Sequence, residues 1–176
     1  SVAFADHGAD VGVTVEAGAP RVHLGLTRVG RGGSQHILDR GTQEVTDDGA
    51  RYRHAELDEW FRETPHGLEH GMTLNEPLPG EGTLELVVAF QGLDPVLMGT
   101  EVMLHDAEGT PKLVYRDLVV TDASGKRLPA AMAVVANEVV LRVDDAEARY
   151  PVTVDPILTS QTAVLTASDG AANDEF

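Results

Sequence analysis

The sequence predicts an all-β fold: an antiparallel β-sandwich of about ten short strands with little or no helix. Two observations carry that prediction. From Leu113 to Pro156 the chain alternates between strand and turn: Val139, Leu141 and Val143 share one face while Glu138, Arg142 and Asp144 share the other. The same two-residue period returns at once, with Tyr150, Val152 and Val154 set against Pro151, Thr153 and Asp155. Elsewhere Gly-, Asn- and Asp-rich turns punctuate the chain at near-regular spacing, and no stretch supports a long helix.

The elements follow in order. Asp10 to Glu16 alternates Val11, Val13 and Val15 with small or polar residues, Arg21 to Thr27 does the same with Val22, Leu24 and Leu26, and Gly18-Ala19-Pro20 turns between them, so a first hairpin is expected. Gly30-Arg31-Gly32-Gly33 opens a region expected to be loose as far as about Gly49. Asp47-Asp48-Gly49 is a turn signal, followed by expected strands from Ala50 to His54 and from Leu57 to Glu63, with Trp60 as a core anchor. Pro65, Gly67 and Gly71 argue against a helix in the next stretch, and Met72-Thr73-Leu74 reads as a short strand. Thr83 to Phe90 is the most apolar segment and is expected to be central. Val102 to Leu104 and Lys112 to Tyr115 flank the turn Asp106-Ala107-Glu108-Gly109. Asp117 to Thr121 leads into the turn Asp122-Ala123-Ser124-Gly125, and Ala130 to Val135 should pair with Glu138 to Asp144 across Ala136-Asn137. Asp144 to Ala148 could form a single helical turn at most. A boundary near Leu158 separates a sandwich over residues 1–158 from residues 159–176, a polar, turn-rich stretch that is either a free tail or the first piece of a following domain.

Composition narrows the function classes. With 13 basic residues against 29 acidic ones and a net charge of -16, the chain is an unlikely partner for nucleic acid, because phosphate binding needs clustered Lys and Arg. Calcium, cationic surfaces or simple solubility fit that balance better. Cysteine is absent, which removes disulfides, thiolate metal sites and nucleophilic cysteine chemistry. No apolar run approaches the roughly 18 residues of a membrane span. The first residues show no basic-then-apolar export signal; such a signal could have been removed or could lie upstream.

One catalytic pattern needs weighing. His66-Gly67-Leu68-Glu69-His70 has the His-x-x-Glu-His spacing of inverted zinc metallopeptidases. That chemistry needs a helix, so that both imidazoles share a face and the carboxylate reaches the metal-bound water. Pro65, Gly67 and Gly71 break the helix, so a turn with surface histidines is the expectation, and a zinc hydrolase on His66, Glu69 and His70 is the remote alternative. Ser34, His36 and Asp39 share a loop but lack a nucleophile elbow, and Gly30-Arg31-Gly32-Gly33 lacks the Lys and Ser/Thr of a phosphate-binding loop. A carbohydrate-binding module is the other alternative. Arg51, Tyr52 and Arg53 could stack on a sugar, although only four Phe, three Tyr and one Trp are present.

Four stretches together carry a family resemblance: Leu57-Asp58-Glu59-Trp60-Phe61; Gly67-Leu68-Glu69-His70-Gly71; Tyr115-Arg116-Asp117-Leu118 with Asp122-Ala123-Ser124-Gly125; and Ala148 to Pro156. They resemble a β-rich module of large exported bacterial proteins, one that precedes FG-GAP, integrin-like β-propeller repeats. Ala167 to Phe176 is similar to the start of such a repeat. The departure is His70, where the family more often has Gln. The resemblance implies an extracellular or cell-surface location and a non-enzymatic role in adhesion or scaffolding. The implied partner is the downstream propeller or another surface protein, and no catalytic or cofactor-binding residues carry over. Exposed sheet edges would allow docking by strand addition, with Pro151 as a residue that guards such an edge. Calcium is the candidate ion. Asp169, Asn173 and Asp174 would supply ligands once a following blade completes the site, and Asp47-Asp48 and Asp144-Asp145 are further acidic turns.

Overall fold

A computed structural model describes residues 2–4, 9–12 and 21–160, and every regular element among them is a strand. In chain order these are β1 (Val2–Phe4), β2 (Ala9–Gly12), β3 (Arg21–Arg31), β4 (Ser34–Ile37), β5 (Thr42–Val45), β6 (Gly49–Arg53), β7 (Asp58–Thr64) and β8 (Gly67–Leu74), followed by β9 (Leu84–Gln91), β10 (Asp94–Met98), β11 (Glu101–His105), β12 (Pro111–Thr121), β13 (Ala130–Val135), β14 (Glu138–Val143) and β15 (Val152–Ser160). They form two antiparallel sheets packed as a sandwich. One has the order β1-β2-β3-β9-β14-β13, with β4 also on β3, and the other the order β10-β11-β12-β15-β8-β7-β6-β5. Counted from Arg21, the sheets hold five and eight strands.

The period-two readings translate directly into the core. Val22, Leu24 and Leu26 of β3, Leu84, Leu86, Val88 and Phe90 of β9, and Val139, Leu141 and Val143 of β14 are buried together. They meet Tyr52, Phe61, Met72, Leu74, Leu104, Tyr115, Val152 and Val154 from the other sheet. Each such side chain taken fully out of water contributes about 1.5–3 kcal/mol. β9 is central, between β3 and β14, as its continuous apolar run predicts. The hairpin of β13 and β14 turns on Ala136 and Asn137, both left-handed at φ 49° and 63°, the double positive φ that closes a two-residue loop. Of the expected first hairpin, β2 pairs antiparallel with β3 from Ala9 to Gly12, while Val13, Val15 and the turn Gly18-Ala19-Pro20 lie outside the described residues.

Several expectations change. The region from Gly30 to Gly49 is not a loose loop: it holds the end of β3, then β4, then β5. Trp60 is not a core anchor. It lies half-buried on the outer face, and its neighbour Phe61 takes the core position. Met72-Thr73-Leu74 is the end of the longer strand β8, and Lys112 to Thr121 is one strand, not two. Asp144 to Ala148 forms a turn closed by Ala148 N–H on the Asp145 carbonyl at 3.1 Å. Pro151 guards no sheet edge, because β15 runs between β12 and β8. Pro156, inside β15, has no N–H to give its neighbour. Opposite it, β12 bulges between Arg116 and Val119, with Asp117 at φ 54°.

Candidate functional site

The hairpin of β7 and β8 sets out most of the polar chemistry by parity. Along β7, Glu59 and Phe61 point inward while Asp58, Trp60 and Arg62 point outward; along β8, Leu68, His70, Met72 and Leu74 point inward and Glu69 and Thr73 outward. A carboxylate and an imidazole thus enter the core, where Glu59 is 2% and His70 0% exposed. Neither is left unpaired. His70 Nε2–H donates to Glu59 Oε1 at 2.7 Å, and its Nδ1 shares a hydrogen bond with the Tyr115 hydroxyl at 2.8 Å. Glu59 Oε1 also accepts the Leu26 backbone N–H at 2.8 Å. Phe61 stacks on the imidazole at 4.6 Å between ring centroids and 6° between planes. The chain of bonds ties β3 of one sheet to β7, β8 and β12 of the other.

Burial alone would push the Glu59 carboxyl up, but the neighbouring His54 and the bonds from His70 and Leu26 hold it below the usual carboxylate value. Burial, reinforced by the negative charges of Glu59 and Asp155, pushes the Tyr115 phenol well up, so it stays protonated.

His54 extends this cluster toward solvent. Its Nδ1–H donates to the Asp39 carbonyl at 2.9 Å, and its Nε2 faces Glu59 Oε2 at 3.7 Å, an ion-pair distance too long for a hydrogen bond. Burial works against its charged form, yet Glu59 and Asp39 outweigh that and raise its pKa above the ordinary value. A groove of about 360 Å³ opens beside this pair, with Gly25, Leu38, Asp39 and Ala89 also in its lining. The arrangement can hold a positive imidazole against a buried carboxylate. Its visible effect is to fasten the two sheets.

The zinc-hydrolase alternative does not assemble. His66 is exposed in the turn before β8, and Glu69 and His70, adjacent on an extended strand, face opposite sides of the sheet. Among the described residues no three His, Asp or Glu side chains converge as metal ligands. Asp145 of the second acidic turn is held by the two terminal guanidinium nitrogens of Arg31, at 2.8 and 2.6 Å, and by the Tyr150 hydroxyl. Asp48 accepts from Thr46 Oγ1 at 3.1 Å. Asp169, Asn173 and Asp174 lie outside the described residues. Ser34, His36 and Asp39 form no triad: His36 pairs with Glu56 at 2.8 Å, while Asp39 serves His54. Arg51-Tyr52-Arg53 is not a sugar platform, since Tyr52 is fully buried between two outward arginines.

Asp122 is an organising residue of a different kind. It accepts the backbone N–H groups of Ser124, Lys126 and Arg149 at 2.9, 3.1 and 3.1 Å and the Ser124 hydroxyl at 2.6 Å. Led by the Ser124 hydroxyl and the Arg149 N–H, these bonds pull its pKa down to about 2. They pin the turn after β12 to the segment entering β15.

The exposed apolar side chains concentrate elsewhere. β10 is an edge strand, and Val96, Leu97 and Met98 on it are 44, 41 and 59% exposed. Val135 of β13, the edge strand of the other sheet, is 49% exposed, and the two edges lie side by side. The chain matches no known protein family, no curated protein and no solved structure.

Sequence reasoning missed Glu59 and His54. For Glu59 a signal existed: it shares parity with Leu57 and Phe61, so a carboxylate stands on the apolar face of a strand.

Proposed function

We propose that this chain is a non-enzymatic recognition module of an exported bacterial surface protein, set before an FG-GAP-type propeller and docked to it by strand addition at β10. The observation that carries this reading is the β10 edge. A sheet edge presents unpaired N–H and C=O groups, and soluble proteins normally blunt it with charge, bulges or cover. From Val96 to Met98, β10 instead presents three consecutive exposed apolar residues. Main-chain pairing supplies affinity in such docking, and flanking apolar side chains supply specificity.

The occupant is the domain that follows in the same polypeptide. Ser160 shares a row with Leu113, Leu104 and Pro95 through successive strand pairings, so β15 leaves the sheet at the end where β10 begins. Three strand spacings, about 14 Å, separate the two strands. A tethered domain therefore meets β10 at high effective concentration. The stretches that carry the family resemblance support a structural role, because Glu59, His70, Tyr115 and Asp122 use their polar groups to tie strands together.

The test is amide hydrogen exchange over Asp94–Met98 in the 176-residue chain and in the polypeptide extended through its next domain. Protection in the longer chain, lost in its Leu97→Lys variant, supports the reading. Equal exchange in both chains sinks it.

A further inference from the structure

We propose that the outer face of the eight-stranded sheet carries a binding site for a neutral oligosaccharide, centred on Trp60. Trp60 pairs across the strands with Arg51 on β6 and Gly71 on β8. Gly71 is what lets the indole lie down on the sheet, since a Cβ built there would stand 1.9 Å from Trp60 Cζ2. The indole N–H is satisfied within the sheet, by Thr73 Oγ1 at 3.1 Å. The ring thus has a fixed tilt, with its orientation set by the protein and not by a ligand. The Arg62 guanidinium sits over the ring at 5.3 Å from its centroid, on a side chain that is 56% exposed.

Around this ring is an open groove of about 590 Å³, within the ~300–1,000 Å³ range of small-ligand sites. Its chemistry selects the ligand. Arg51, the cross-strand partner of Trp60 on β6, and Asp58, two residues before it on β7, also line the groove, and their side chains make no hydrogen bond or ion pair with described residues. A donor side chain and an acceptor side chain lining the same groove as one aromatic ring match a polyol, which offers hydroxyls to both while a pyranose C–H face rests on the indole. Charge complementarity excludes the charged classes. A polyanion would meet Glu44 and Asp48, and a polycation would meet Arg51 and Arg62. On binding, the sugar takes the place of the guanidinium over the ring, and Arg62 turns its donors to the hydroxyls.

This site is independent of strand addition, because β10 and β7 are separated by four strands in the same sheet. Trp60 is also the sole tryptophan, so intrinsic fluorescence reads the site directly. The experiment titrates the chain with β-1,4-linked glucohexaose, chitohexaose and α-1,4-linked maltohexaose, following emission and, in parallel, the heat of binding. The expected result is a saturable emission change with at least one of them. Affinity should fall at least about tenfold in Arg51→Ala and in Asp58→Ala, with melting temperatures unchanged. Those two variants leave the packing of Trp60 on Gly71 intact, so a ring that only covers a glycine would not respond to them. Absence of heat and emission change with all three sugars overturns the proposal, as does unchanged affinity in either variant or in Trp60→Ala. Tighter binding of a sulfated oligosaccharide than of any neutral one overturns it as well.

Discussion

Glu59 shows how much a single buried side chain holds. Its Oε1 takes two donors, the Leu26 N–H and the His70 ring, and both would be orphaned in a dry core without it. Breaking one partner out of a buried, bonded set costs about 3–5 kcal/mol. Glu59→Leu should therefore lower the unfolding free energy by about that much, whereas Glu59→Gln, which keeps an acceptor, should lose less. Urea denaturation measures both, and equal stability of Glu59→Leu and the parent would mean that the tie contributes nothing. The same cluster sets a pH profile. The folded pKa of Glu59 lies below its ordinary 4.5, so its contribution is present above that value and is lost as pH falls through the depressed one. His54 lies above its ordinary 6.5, so its contribution is complete below that value and is lost as pH rises through the elevated one. Melting temperature should peak between about 4.5 and 6.5, and His54→Gln should flatten the alkaline side while leaving the acid side in place.

At the scale of the element, what could be read in advance depended on which faces a strand buries. β9, β13, β14 and β15 were legible because one face or both is apolar, and a period of two or an unbroken run reports it. β4 and β5 were not. Their burial is nearly nil along the whole length, so they have no apolar face to mark them, and they are held by main-chain pairing to β3 and β6. Trp60 and Phe61 show a second limit: adjacent aromatics on a strand must face opposite ways, and sequence alone does not say which faces inward. Gly67 and Gly71 read as breakers and so place His70 in a turn, while in the hairpin of β7 and β8, inside the sheet, the same glycines sit in an extended strand. The parity of Glu59 marks it as inward-facing, but its partners, 11 and 33 residues away in sequence, cannot be read from that parity. The turn of β13 and β14 yields a prediction at this scale. Ala136 holds a left-handed conformation at φ 49° with no side chain to favour it, which costs about 1–2 kcal/mol. Ala136→Gly should raise stability by about 1 kcal/mol in the same urea assay. Asn137 should be left alone, since its amide also reaches Asp94 at 3.2 Å.

Across the whole molecule, negative charge predominates. A net charge of -16 makes the folded chain repel itself, and added salt screens that repulsion. Melting temperature should rise as sodium chloride is raised from about 20 mM to about 0.5 M. Calcium or zinc, compared with sodium at equal ionic strength, should add nothing further for this chain, because the acidic turns at Asp48 and Asp145 are already engaged by Thr46 and Arg31. A calcium-specific rise relative to sodium would relocate attention to Asp169, Asn173 and Asp174. A zinc-specific rise abolished by His66→Ala would revive a metal role for that histidine.

The position of β15 has a mechanical consequence. The strand is laced on both sides, to β12 from Leu113 to Thr121 and to β8 from Leu68 to Leu74. Tension on the chain beyond Ser160 pulls along its axis, so the two ladders bear load in shear, with their bonds stretched together and not one after another. An outer strand would peel away from one end under far less force. In the surface role proposed above, tension from flow or an attached cell would thus meet its anchor in the middle of a sheet, where pulling must shear two rows at once.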